Sequence, residues 1–428
     1  MRKLENTYFF VLGTNHSLSK ADIINVFWRE KINFEIVAAS EEILLVKAQE
    51  LAVDSFMPEL GSAAKMGEIF ASLPKENFLE SLVEEVGKKE FQDFFFPQEL
   101  TSIRFGTSVY GAGGKFKDLN KVFYLLPRLN RRVKERLEGL EFNVNYLPPK
   151  ERELSSVTVH QRELLQKGFE LVLGVGETEV YLGKTLAIQD YEGYSLRDFG
   201  RPARDPKAGM IPPKLAKIMI NLAQKDKKSL FLDPFVGSGT ILQELILLGY
   251  QDLIGADEKE KAIKDTEINL AWLFEKFAPS KRDDYKISLV KTKIEQLSEN
   301  IAPQSVDAIV TEPYLGSARV KSFPPEKIKR EASSLEALYL KAFGQFSLVL
   351  KKEGVVVIVF PVFRFKVRFF HLEILKEVEN LGFRNRGFLP GEAKGLEQLK
   401  LNLTKRNSII YFRPGQTVSR EIFVFVKT

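Results

Sequence analysis

The chain has 428 residues, too many for one ordinary hydrophobic core, so two or three domains are expected. A hydrophobic share of 44% and a charged share of 28% are those of a soluble globular protein, and no apolar run approaches the length of a membrane span. With 0 cysteines, disulfides, thiolate nucleophiles and cysteine zinc sites are excluded, while the 3 histidines (His16, His160, His371) lie too far apart in sequence to suggest a metal or histidine-centred site.

Residues 8–13 read as a strand and 17–27 as a helix capped by Ser17. Residues 34–47 give more strand, 78–92 an amphipathic helix, and 102–110 another strand. A helix over 119–138 follows, then strands at 157–160, 170–175 and 179–183. This part is α+β material, with small sheets carrying helices on one face. Its last long helix is basic: Lys117, Lys121, Arg128, Arg131, Arg132, Lys134 and Arg136 stand against Asp118 and Glu135. Arg128, Arg132 and Arg136 recur every four residues and line one face, either a solvated surface or one that contacts phosphates. The net charge of +6 is compatible with a nucleic-acid partner without requiring one. The start of the chain lacks a full apolar signal core and a cleavage site, and a cytoplasmic location is expected.

Residues 190–213 are polar and punctuated by Gly and Pro, including Pro206 and Gly209, and read as a linker or ordered loop. Beyond them the pattern alternates: helix 215–223, strand 230–232, helix 241–248, strand 253–255, helix 258–277, strands 286–290 and 307–310, helix 335–350, strand 355–360. Such alternation implies a parallel, doubly wound sheet with right-handed crossovers. Residues 407–412 and 420–426 are expected to close it as an antiparallel hairpin.

In such a sheet a ligand lies outside the carboxyl ends of the strands. The first strand of this half runs into Asp233-Pro-Phe-Val-Gly-Ser-Gly-Thr240, which places Asp233, Phe235, Gly237, Gly239 and Thr240 in a loop that opens a helix. The dinucleotide fingerprint fails because Leu242 stands where its third glycine belongs, and the Walker loop fails because no Gly-Lys-Ser/Thr follows. An adenosine compound without a pyrophosphate remains, with S-adenosylmethionine (SAM) the candidate. Asp257, after the second strand, is placed to accept hydrogen bonds from two ribose hydroxyls. After the strand 307–310 comes Thr311-Glu-Pro-Tyr-Leu-Gly316, facing the cofactor loop. An exocyclic amine is weakly nucleophilic because its lone pair is delocalised into the ring. Acceptors must orient its N–H bonds and help remove a proton. Glu312 and the carbonyl of Pro313 offer acceptors, and Tyr314 a ring on which a flipped base can stack.

The loop 233–240 resembles the D-P-F-C-G-S-G-T motif of amino-methyltransferases that carry an RNA-binding THUMP domain. The segments 197–223, Leu60-Gly-Ser-Ala-Ala-Lys-Met-Gly-Glu68 and Phe105-Gly-Thr-Ser-Val-Tyr-Gly111 extend the likeness along nearly the whole chain. It is strongest to the archaeal and eukaryotic tRNA guanine-10 N2-methyltransferase family. That resemblance implies an α+β ferredoxin-like domain (1–70), a THUMP domain that grips tRNA (71–188), a linker (189–213) and an α/β, Rossmann-like methyltransferase domain (214–428). It implies SAM as cofactor, tRNA as partner and, as in eukaryotic relatives, a small activating subunit as a further candidate. Arg128, Arg131, Arg132, Lys134 and Arg136 would then face RNA.

Two positions depart from the family. Its D-P-P-Y-G motif aligns with Glu312 at the aspartate, Pro313 and Tyr314 at the prolines, and Leu315 at the tyrosine. A shift by one puts Tyr314 on the aromatic position and Thr311 on the aspartate. The acidic residue near the adenine after the third strand is replaced by a stretch carrying Lys293. Another tRNA or ribosomal RNA guanine, or a SAM- and RNA-binding protein without catalysis, are the alternative expectations.

Overall fold

Among the described residues, strand-forming runs sort into two sheets of nine strands each, one per compact unit. The first unit comprises Met1–Ile23, Glu30–Tyr191 and Gly391–Leu401, and the second Ile24–Arg29, Glu192–Pro390 and Asn402–Thr428. The computed structural model describes residues 2–96, 100, 102–204, 210–277, 281–317, 323–366, 368–389, 391, 395–412 and 418–428.

The first unit holds β1 (Arg2–Lys3), β2 (Thr7–Val11), β3 (Phe34–Ala39), β4 (Ile43–Ala48), β5 (Lys65–Pro74), β6 (Ser102–Gly111), β7 (Asn143–Tyr146), β8 (Gly168–Val175) and β9 (Glu179–Ile188). Their order is β3-β4-β2-β5-β9-β8-β6-β7, with β1 also against β5. The separate small sheets expected from sequence are thus one sheet. The cause is β5, whose 10 residues pair β2 and β1 along one edge and β9 along the other. A domain boundary at 70/71 falls inside this strand. A buried ion pair reinforces the join: Lys65 Nζ lies 2.5 Å from Glu170 Oε1, and Glu170 also accepts from Ser108 and Thr185.

Local capping decides three further differences from the sequence reading. Residues 157–160 are not a strand but part of the helix Ser156–Gln161, because Ser155 Oγ accepts from the Thr158 amide at 3.0 Å. That cap outweighs the β-branched Val157, Thr158 and Val159. The helix His16–Arg29 is capped by Asn15, whose Oδ1 accepts from the Leu18 amide, and Ser17 sits inside it. The single helix over 78–92 is two, Phe78–Val86 and Lys89–Phe95, parted at Gly87.

The second unit holds β10 (Phe231–Asp233), β11 (Asp252–Asp257), β12 (Lys286–Lys291), β13 (Val306–Thr311), β14 (Leu350–Phe365), β15 (Arg368–Phe370), β16 (Phe383–Asn385), β17 (Ile409–Tyr411) and β18 (Val418–Lys427). The order β12-β11-β10-β13-β14-β18-β16 keeps β10 to β14 parallel and adds β18 antiparallel to β14. This is a Rossmann-like sheet. The chain steps outward from β10 to β12, then returns to β10's other side for β13, so the order reverses between β10 and β13. The central β14 is buried from Val355 to Phe363, as a strand covered on both faces must be. The closing hairpin is present: Ile409 of β17 pairs with Ile422 of β18.

The segment 190–213 is more than a linker. Tyr191–Ser195 is helical, Leu196–Gly200 forms a π-helical turn, and Arg197 and Arg201 are buried. Pro206 and Gly209 lie outside the described residues.

Candidate active site at the carboxyl edge of the second sheet

At the reversal point the ends of β10 and β13 are tied together by side chains. Asp233 Oδ1 accepts the Thr311 hydroxyl at 2.7 Å and the Phe235 amide at 3.2 Å. Asp233 is only 2% exposed, and its burial, opposed by those two hydrogen bonds, pushes its carboxyl up to about 7. Its visible work is to set the start of the loop. Thr311 is fully buried and turned toward Asp233, leaving Glu312 as the carboxylate at the exit of β13.

The loop itself is shaped by glycine. Gly237 and Gly239 adopt φ of 53° and 79°, where a Cβ is strained. At Gly239 a Cβ would also come within 2.8 Å of Thr266 Cγ2. Gly239 caps the buried helix Thr240–Leu247. The Gly237 amide donates to Asp257 Oδ2 at 3.1 Å, and the Lys259 amide to Asp257 Oδ1 at 2.9 Å. Each oxygen keeps a lone pair for a hydroxyl donor. Phe235 packs partly buried against the sheet core. Asp233, Phe235, Gly237, Gly239 and Asp257 therefore converge on one loop. The Thr240 hydroxyl instead turns away and accepts from Arg201 at 2.5 Å. Lys293, where the adenine-side acid was missed, is exposed.

Several supporting residues were not singled out from the sequence. Thr266 Oγ1 donates to the Gly237 carbonyl, and Asn269 Nδ2 donates to the carbonyls of both Ser238 and Ala203. Arg197 pairs with the fully buried Glu244 at 2.7 Å and stacks on Tyr194. Arg201 is buried, which holds its guanidinium below the usual range. The segment before the sheet thereby clamps the helix behind the cofactor loop. Its signal was available: two arginines four apart, either side of Phe199, in a segment otherwise read as punctuation.

At the facing turn, Glu312 is not free. Arg420 of β18 grips it through both ends, Nε to Oε2 at 2.5 Å and Nη2 to Oε1 at 2.9 Å. The two side chains are 8% and 5% exposed. Arg420 lies 108 residues from Glu312 and has one sequence hint, an Arg-Glu pair ahead of the apolar run 422–426 of its strand. Pro313 is buried, and Tyr314 is 53% exposed, with its ring accessible to a planar partner. The Tyr314 carbonyl is within 3.5 Å of the Tyr339 hydroxyl.

The basic helix Phe116–Glu138 of the first unit buries Leu119, Val122, Leu126, Leu129 and Val133. Lys117, Lys121, Tyr124, Arg128 and Arg131 form an exposed stripe, while of the expected face Arg128 and Arg136 are exposed and Arg132 is half-buried. Arg131, Arg132 and Lys134 lie within 4 Å of Glu135, Glu80 and Glu138, respectively. Arg136 lies over Gly87, leaving no space there for a Cβ. Tyr124 is 76% exposed between Lys121 and Arg128.

Comparison with known proteins fits this geometry. Residues 201–380 match the family model described as the RMKL-like methyltransferase domain. The matched residues lie in the second unit. Over 159 residues the chain is 36% identical to the tRNA (guanine(10)-N2)-dimethyltransferase of Methanocaldococcus jannaschii, covering 36% of this chain and 42% of that protein. Over 152 residues it is 32% identical to the like-named protein of Methanothermobacter thermautotrophicus, covering 35% and 41%. The matches thus span about two fifths of those relatives. Among solved structures, TrmN from Thermus thermophilus shares the fold with a TM-score of 0.54 at 18% identity, covering 99% of this chain and 100% of that one. Among the described residues no helix is long and apolar enough to cross a membrane, and no cluster of acidic or histidine side chains is set to hold a metal.

Proposed function

We propose that the protein is a SAM-dependent methyltransferase that modifies the exocyclic N2 amine of a guanosine in tRNA, at position 10. The observation that carries this reading is the pairing, across one reversal point, of the glycine loop with Asp257 and the Glu312-Pro313-Tyr314 turn. The names of the relatives supply the substrate class.

SAM fits the donor set: a loop without side chains at Gly237 and Gly239, and a carboxylate with a lone pair left on each oxygen for the ribose hydroxyls. When bound, it supplies an electrophilic methyl group. Tyr314 stacks on the base, and the Glu312 carboxylate and nearby carbonyls accept the amine N–H bonds. On gaining that methyl group the amine must release one proton, which leaves along the N–H bond held at Glu312 and passes to solvent. With its charge matched by Arg420, Glu312 serves chiefly to orient the amine and to accept its hydrogen bonds.

The first unit is read as ferredoxin-like and THUMP parts built on a shared sheet, with the Lys121–Tyr124–Arg128 stripe, Arg131, Arg132, Lys134 and Arg136 toward the tRNA backbone. A small activating subunit is the further partner to test by co-purification. The deciding experiment incubates the protein with labelled SAM and unmodified tRNA and maps the label. Transfer lost on replacing guanosine 10 by adenosine supports the reading, and transfer to ribosomal RNA alone defeats it.

A further inference from the structure

The strand β14 does not stop where its parallel partner does. β13 ends at Thr311, opposite Ile358, whereas β14 continues to Phe365, roughly 20 Å further. It then turns back through Lys366, at φ 54°, into β15. This arm projects from the carboxyl edge, the edge that carries the candidate site. Its root touches the turn 312–317: the Phe363 ring lies so close to Gly316 that a Cβ there would come within 3.1 Å of it.

The tip of the arm has an unusual composition for an exposed hairpin. Residues 361–370 read Pro-Val-Phe-Arg-Phe-Lys-Val-Arg-Phe-Phe, with the cations Arg364, Lys366 and Arg368 and no carboxylate. All three are exposed, and among the described residues none has a carboxylate within ion-pair distance. Two of them lean on aromatics instead: Arg364 lies 5.9 Å from the Phe369 ring centroid and Lys366 5.7 Å from that of Phe365. Phe369 is itself 55% exposed. An ordinary solvated hairpin would intersperse acids with these cations. Three unneutralised charges among aromatic rings form a surface complementary to a polyanion whose bases can stack.

We infer that the β14–β15 arm is a nucleic-acid grip on the catalytic unit, with Arg364, Lys366 and Arg368 on the RNA backbone beside the target nucleotide and Phe369 against an unpaired base. This rests on the reading that the substrate is RNA. It adds a contact surface separate from the basic helix of the first unit.

The test uses the full chain, unmodified tRNA and the variant R364A/K366A/R368A, with binding measured by filter retention at several salt concentrations. Because the residues are exposed, the variant should keep the wild-type melting temperature. The expected result is about a tenfold or greater loss of tRNA affinity and a salt slope smaller by about 2–3, one unit or slightly less per lost phosphate contact. The charge-preserving variant R364K/R368K should recover most of the affinity. F369A should weaken binding to tRNA while leaving the salt slope unchanged. Equal affinity and slope for the triple variant and the wild type would overturn the inference, as would loss of affinity that R364K/R368K fails to recover. Binding is scored without turnover, so wild-type protein that binds tRNA through this arm but transfers no methyl group would defeat the proposed reaction and not the grip.

Discussion

Replacing Glu312 by Ala should damage two properties at once, and the structure separates them. The Glu312–Arg420 pair is bidentate, at 2.5 and 2.9 Å, with both side chains less than a tenth exposed. Removing the carboxylate strands a buried guanidinium, which costs about 3–5 kcal/mol. At roughly 2–4 °C per kcal/mol for a domain of this size, the melting temperature should fall by about 6–20 °C. Methyl transfer should be lost as well, because the amine loses its acceptor. The double variant E312L/R420M removes both charges and should regain most of the stability while remaining inactive. Calorimetry gives the first readout, and labelled transfer assayed well below each melting point gives the second. An E312A protein melting within about 2 °C of wild type would refute the buried pair, and transfer by the double variant would remove Glu312 from the reaction.

Other consequences can be measured separately. Asp257→Ala should weaken SAM binding by about 10–150-fold in titration calorimetry, through lost hydrogen bonds to a charged group, and unchanged affinity would take Asp257 out of the site. Asp233 is raised in the folded state, so its stabilising contribution is full below about pH 4 and is lost as pH rises through about 7. Asp233→Asn should flatten that part of the urea-midpoint profile, whereas an unchanged slope would assign it to other groups. Arg197→Met should lower the melting temperature by leaving the buried Glu244 only its longer 3.7 Å contact with Lys217, a loss unexpected if residues 190–213 were only a tether. Lys121→Glu with Arg128→Glu should weaken tRNA binding across tRNA sequences and reduce its salt dependence, and a sequence-selective loss would contradict a backbone contact.

The catalytic half was legible because its signals are local. The alternation of strand and helix, the glycines at positive φ and the carboxylates at strand ends follow from neighbours along the chain, and β10 to β14 fall where the pattern puts them. What escaped depends on distant partners. Arg420 becomes meaningful only when β18 is laid against β14 and its side chain reaches across β14 to Glu312 at the end of β13. Arg197 and Arg201 were read as part of a polar connection because their partners, Glu244 and Thr240, lie about forty residues on. The division of the first half differs for a related reason: residues 65–74 were not read as a strand, and nothing local says that β5 joins β2 along one edge to β9 along the other. On the basic helix a four-residue count picked Arg128, Arg132 and Arg136, of which Arg128 and Arg136 are exposed and Arg132 is half-buried, while the buried leucines leave a second exposed stripe through Lys121, Tyr124 and Arg131.

The most direct test of the central claim is the chemical identity of the product nucleoside. Unmodified tRNA incubated with the protein and SAM should be digested and its nucleosides separated by chromatography with mass detection. The expected product is guanosine carrying methyl on the exocyclic N2, as one or two groups, formed by wild type and absent with Glu312→Ala. Methyl on the ribose, on a ring nitrogen of guanine or on adenine would contradict the assignment of the Glu312-Pro313-Tyr314 turn to an exocyclic guanine amine.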